Sequence, residues 1–182
     1  FGMSMNRIFD VNIDKKNPRT FERGLVVGSI SFKGAIFISI SSLAIFFLAV
    51  VNLDKLALYL SPIVIFLFLI YPITKRFTYL CHYFLGLIYF IAPPAVEIAI
   101  TGNFSLETLT LGIAGFFWVS GFDLIYAILD IDFDNDNNIY SIPSKFGIGK
   151  TKLFASISHA ITFLCILLIG FFANLNPIYW IG

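Results

Sequence analysis

Three stretches, residues 34–51, 56–73 and 153–173, are apolar almost without interruption, and each matches the roughly 20 residues that a helix needs to cross a bilayer. Two further stretches have the same length but are less uniform. Residues 82–100 carry Pro93, Pro94 and Glu97, and residues 106–130 run into a cluster of aspartates. These runs are too long and continuous to be the alternating strands of a barrel, so helices are the spanning element. The composition agrees, being 58% hydrophobic and only 13% charged, far from that of a soluble domain. The expected fold class is all-α, a multi-span transmembrane helical bundle forming one domain over residues 1–182. Its surroundings are the lipid bilayer, and nucleic acid is not an expected partner. Cys81 and Cys165 follow no metal or redox spacing and read as buried thiols.

The basic residues orient the bundle. Arg7, Lys15, Lys16, Arg19, Arg23 and Lys33 precede the first complete span, Lys75 and Arg76 follow the second, and Lys145, Lys150 and Lys152 precede the last. If every span crosses once, eleven of the twelve lie on one face and Lys55 alone on the other. Positive charge gathers on the cytoplasmic side, so that face is expected to be cytoplasmic.

The acidic residues collect there too. Five aspartates fall within residues 121–147. At about 100° per residue, Asn6, Asp10 and Asp14 share one helix face. Asp123, Asp130 and Asp134, seven and four residues apart, fall within about 40° of one another on a continuous helix, with Asp132 opposite. Oxygen ligands a turn apart on two helices suit a hard cation such as Mg²⁺, particularly one whose remaining ligands are substrate phosphates. An EF-hand is excluded: counting from Asp130, the sixth position is Asn135 rather than Gly, and the twelfth is Ser141 rather than Glu. Lys75, Arg76 and Lys145 are placed to meet the remaining charge of a diphosphate. Lys15, Lys16, Lys150 and Lys152 read as loop anchors.

These motifs resemble the UbiA superfamily of intramembrane prenyltransferases. The first signature stands here as "NRIFDVNID" followed by "NPRT", the second as "DLIYAILDIDFD" with the trailing "SIPSKFG". Between them, "YPITKR" is similar to the Tyr and Lys that the family places near the diphosphate, here Tyr71 and Lys75. Members have more spanning helices than the five read here. The resemblance therefore implies a chain truncated at both ends, lacking the first helix, most of the second and the last. The sequence departs from the family pattern at Arg7, where many members have Asp, and at Asn135 and Asn138, where Arg and Gly are more usual; a lost glycine is expected to reshape that loop.

The resemblance implies a bacterial inner-membrane enzyme with its active site on the cytoplasmic side. It would transfer a polyprenyl group from polyprenyl diphosphate to an aromatic acceptor, with Mg²⁺ held by Asn6, Asp10, Asp14, Asp130 and Asp134. Tyr71, Lys75, Arg76 and Lys145 would serve the diphosphate. Asp123 or Tyr126 would orient the acceptor or take the ring proton. The expected acceptor is 4-hydroxybenzoate, for a respiratory quinone such as ubiquinone, with a dihydroxynaphthoate for menaquinone as the alternative. A cation transporter, the reading outside this class, calls for carboxylates near mid-membrane, whereas these sit at helix ends beside basic loops. His82 and His159 read as packing residues, Glu97, on the face away from the aspartates, as either a buried hydrogen-bonded carboxyl or a catalytic one, and Pro93 and Pro94 as a helix break or kink.

Overall fold

The computed structural model describes residues 1–181, and among them it contains helices and no strands. Helix α1 covers Gly2–Asp14, the single-turn α2 Gly24–Val27, α3 Phe32–Val50, α4 Lys55–Thr74 and α5 Cys81–Thr101. Helix α6 covers Leu106–Ala127, the six-residue α7 Ile131–Asp136, and α8 Ile142–Phe172. Five helical segments are long and apolar enough to span a bilayer: α3, α4, α5, the stretch Leu106–Asp136 and α8. The protein is an integral, multi-pass membrane protein.

Local chemistry sets the helix ends. Ser31 caps α3 by accepting from the Gly34 amide at 3.0 Å, and Asp54 caps α4 through the Leu56 amide at 2.8 Å. Reciprocal capping boxes start α6, through Ser105 and Thr108, and α8, through Ser141 and Ser144. Gly102, at φ 73°, closes α5 in the left-handed conformation. Glu97 fastens the α5–α6 turn by accepting from the Ser105 amide at 2.7 Å, the Ser105 hydroxyl at 2.9 Å and the Thr108 hydroxyl at 2.5 Å. That turn lies at the end of the bundle away from the aspartates, so Glu97 is a structural tie.

Neighbouring helices follow the order α3, α1, α4, α5, α6, α8. Their contacts are made by small and hydroxyl-bearing side chains, among them Ser61, Thr110, Ser120, Ser158 and Thr162, all buried. Large apolar groups such as Phe37, Ile40 and Phe163 point outward. This is the packing expected where lipid replaces water and close backbone approach holds helices together.

The α5–α6 contact shows why the proline pair does not break α5, which runs unbroken from Cys81 to Thr101. Pro93 and Pro94 have no N–H, so the carbonyls one turn earlier, those of Tyr89 and Phe90, lose their helical donors. These are the two carbonyls that α6 approaches through glycine. A Cβ on Gly112 would stand 2.4 Å from the Phe90 oxygen, and one on Gly115 would stand 3.2 Å from the Tyr89 oxygen. Glycine Cα–H groups therefore face the freed oxygens, a weak form of the resatisfaction that lets proline persist in membrane helices.

Two further expectations are corrected. The α6 helix does not continue through the aspartates: a 3₁₀ turn at Ile128–Asp130 separates it from α7, so the angles of a continuous helix do not apply to Asp130 and Asp134. The last span begins earlier than residue 153, at Ile142, and bends at Gly147, where φ 76° and ψ 170° suit glycine alone. Beyond α8, Pro177–Trp180 form a 3₁₀ turn folded back on that helix, with the Tyr179 hydroxyl donating to the Ile166 carbonyl at 2.6 Å. The loop after the aspartates keeps a left-handed residue despite its missing glycine. Asn138 adopts φ 53°, a conformation that asparagine tolerates better than most residues.

Gly112→Ala, which drives a methyl group into the Phe90 carbonyl, is expected to lower stability by about 1–3 kcal/mol. Gly149→Ala, in α8 with open space around it, is expected to raise stability by about 0.5–1 kcal/mol. Thermal unfolding of the two variants in detergent measures both.

Candidate functional site

A cavity of about 150 Å³ opens at the polar end of the bundle. Its wall combines α1 from Asn6 to Asp14, the α1–α2 connection, the end of α4, the start of α5, the end of α6 and the segment from Asp130 to Ser141. Asn6, Asp10, Asp14, Asp130 and Asp134 all line it, as do Tyr71, Lys75 and Asp123. The two aspartate motifs, more than a hundred residues apart in sequence, thus face a common space.

Each carboxylate has a partner. Asp10, 2% exposed, takes the Lys75 ammonium at 2.5 Å through Oδ2. Asp14 accepts two bonds from Arg23 Nη1, at 2.6 and 2.8 Å, and a third from the Thr20 hydroxyl at 3.0 Å. Asp130 is held by the Arg19 guanidinium, whose Nε stands 3.0 Å from Oδ1 and whose Nη2 pairs with Oδ2, and by Asn17 Nδ2 at 3.0 Å. Asp134 accepts from the Ser141 hydroxyl at 2.7 Å. The hydrogen bond to Asp130 raises the Arg19 pKa above the ordinary arginine value, so the guanidinium stays charged. Asp10 Oδ1 is the exception: it is buried and has no hydrogen-bond donor, and the Arg76 guanidinium stands 3.9 Å away.

Other expected site residues lie off this wall. Arg76 donates to the Phe9 carbonyl at 2.6 Å, tying α4 to α1. Lys145 stands over the Tyr79 ring, 4.3 Å from its centroid. The Tyr126 hydroxyl accepts from Arg19 Nη1 at 2.7 Å, on the outer side of the Asp130 pair. Asp132 and Asp136 are exposed to solvent.

Sequence reasoning undervalued Asn17, Arg19, Thr20 and Arg23, counting the two arginines only toward orientation. All four line the cavity. The available signal was their position in "NPRTFER", within one to three turns of Asp14. His82, read as packing, also lines the cavity and bonds Asp123 at 2.7 Å.

Matching over residues 1–182 is the family model described as the UbiA prenyltransferase family. The chain belongs to the UbiA prenyltransferase family. Its structure is similar to that of a UbiA homolog from Aeropyrum pernix K1, with a TM-score of 0.92 and 34% identity over 99% of this chain and 68% of that one. Among curated UbiA-type relatives, it is 30% identical over 181 residues to a 4-hydroxybenzoate octaprenyltransferase of Francisella tularensis subsp. mediasiatica. It is 34% identical over 154 residues to one of Methylobacillus flagellatus, covering 85% of this chain and 51% of that protein. All of this chain is matched in that comparison, and it spans 63% of the length of the Francisella relative.

The UbiA-type donor set suits a hard divalent cation. Its five side chains present oxygen alone, they share one cavity, and the orphaned Asp10 Oδ1 is a buried acceptor. Among the described residues no three carboxylate, histidine or cysteine side chains converge on one point. Binding an ion there means exchanging basic partners for metal.

Removing Arg23 would leave the buried Asp14 charge held by Thr20 alone. Arg23→Met is expected to cost about 3 kcal/mol of stability, and the further change Asp14→Asn to restore most of it. Thermal unfolding of the two single variants and the double variant tests the coupling.

Proposed function

We propose that the protein transfers a polyprenyl group from polyprenyl diphosphate to 4-hydroxybenzoate in respiratory quinone synthesis, with Mg²⁺ as its cofactor. The carrying observation is the facing of Asp10 and Asp14 against Asp130 and Asp134 across one cavity, with Lys75 between them. The names of the curated relatives support 4-hydroxybenzoate over a naphthoate. The basic face, and the cavity with it, is assigned to the cytoplasmic side of the bacterial inner membrane.

Asn6, Asp10, Asp14, Asp130 and Asp134 would hold the metal. When bound, Mg²⁺ neutralises charge building on a departing diphosphate. Lys75 supplies further positive charge from α4, with Arg19 and Arg23 in the same wall, and these cations stabilise the leaving group as the allylic C–O bond breaks. Tyr71, one turn before Lys75, presents its ring to the same cavity. The greasy helices accept the isoprenoid tail and keep water from the allylic cation. The electron-rich ring attacks that cation at the carbon ortho to its hydroxyl, and Asp123 takes the proton lost from that carbon.

Membranes carrying the protein are incubated with Mg²⁺, labelled polyprenyl diphosphate and a panel of aromatic acids. The expected product is the prenylated 4-hydroxybenzoate, formed at least ~100-fold more slowly by Asp10→Ala and by Asp130→Ala and lost on chelation of the metal. Absence of product with every acceptor, or full activity in both variants, would refute the assignment.

A further inference from the structure

Asp123 has a neighbour that this chemistry leaves unexplained. His82, in the first turn of α5, is only 4% exposed, and its Nδ1 lies 2.7 Å from Asp123 Oδ2. On the far side of the ring, the backbone N–H of Ile142 points at Nε2 at 3.4 Å. That amide opens α8 and is one of the donors that a helix start leaves without an intrahelical acceptor. An N–H directed at Nε2 needs a lone pair there, so the ring proton belongs on Nδ1, where it is donated to Asp123.

The ring is thereby gripped at both nitrogens, and its backbone is gripped as well. The His82 carbonyl accepts from the Ser120 hydroxyl at 3.4 Å. One turn along, Gly86 brings α5 so close to α6 that a Cβ there would meet Ser120 Oγ at 2.2 Å. Asp123 is held by one oxygen, while its side chain, 26% exposed, opens on the cavity. Among the described residues, His82 is the one hydrogen-bond partner of this carboxylate.

We propose that His82 is a positioning residue for proton removal: through Nδ1–H it holds Asp123 Oδ2 so that Oδ1 faces the acceptor ring. This rests on the prenyl-transfer reading above. In the reaction, the allylic C–O bond breaks and its electron pair leaves on the diphosphate. A π pair of the aromatic ring forms the new C–C bond. The C–H bond at that ring carbon then breaks, its pair restores aromaticity, and the proton moves to Asp123 Oδ1 and departs with the diphosphate product. His82 neither gains nor loses a proton. It fixes where the base stands.

The test compares the wild-type protein with His82→Leu, which cannot donate, and His82→Gln, whose amide can replace Nδ1–H. The acceptor is 4-hydroxybenzoate with hydrogen or deuterium ortho to the hydroxyl. In His82→Leu, kcat is expected to fall about tenfold or more, with a new isotope effect of about twofold or more, as proton loss becomes limiting. KM for the prenyl diphosphate stays unchanged, and His82→Gln recovers most of the rate. A rate loss with no isotope effect, or a His82→Gln variant as poor as His82→Leu, would overturn the positioning role while the prenyl-transfer reading stood. Absence of product from the wild-type protein would sink that reading and the proton-removal role together. The hydrogen-bond assignment has its own readout, because the chain has two histidines. In a His159→Gln background, ring-¹⁵N spectra are expected to show Nδ1 protonated and Nε2 bare, a pattern altered by Asp123→Asn. An Nε2–H tautomer would overturn the arrangement.

Discussion

A carboxylate at the edge of a hydrocarbon layer costs several kcal/mol unless a charge or a set of donors answers it. This protein gathers Asp10, Asp14, Asp123, Asp130 and Asp134 around one cavity. The structure answers them from four segments: Lys75 from the end of α4, Arg23 and Arg19 from the α1–α2 connection, Ser141 from the start of α8, and His82 from α5. The pairings therefore do two things at once. They make the buried negative charge tolerable, and they hold the polar ends of the helices around the same space.

The rest of the bundle makes that end possible by being held where no charge is needed. Between α5 and α6, Gly86, Gly112 and Gly115 let the backbones meet, and the glycines of α6 approach the carbonyls that Pro93 and Pro94 leave without donors. Glu97 ties the opposite end through Ser105 and Thr108. With α5 and α6 fixed along their lengths, His82 and Asp123 face each other near the end of that contact with little freedom. The short 3₁₀ turn after α6 interrupts the helix there, and Asp130 and Asp134 line the cavity that Asp10 and Asp14 also line.

A site whose carboxylates already have partners constrains how ligands can enter it. A metal diphosphate brings cation and anion together. In the proposed reaction the carboxylates would hold the metal while the released Lys75, Arg19 and Arg23 would take the phosphate oxygens, an exchange that would leave no buried charge unanswered. Either component alone would strand one sign of charge. This favours joint binding in the proposed reaction, where the basic residues of "NPRTFER" would act beyond setting membrane orientation.

The sequence by itself determined the spanning helices, because about 20 consecutive apolar residues leave the backbone no other way to satisfy itself in lipid. It also determined the two aspartate motifs, since the same residue types recur at turn-like spacings beside basic loops. It could not determine partners. Arg19 and Asp130 are 111 residues apart, and His82 and Asp123 are 41 apart, so no local periodicity links them. Nor could it show that Lys145 would settle over Tyr79 while Arg23 reached Asp14, because every lysine and arginine on one face looks alike until helix packing sets its distance from each carboxylate. Those choices belong to tertiary structure, for the physical reason that charge pairing depends on distances across the bundle and not along the chain.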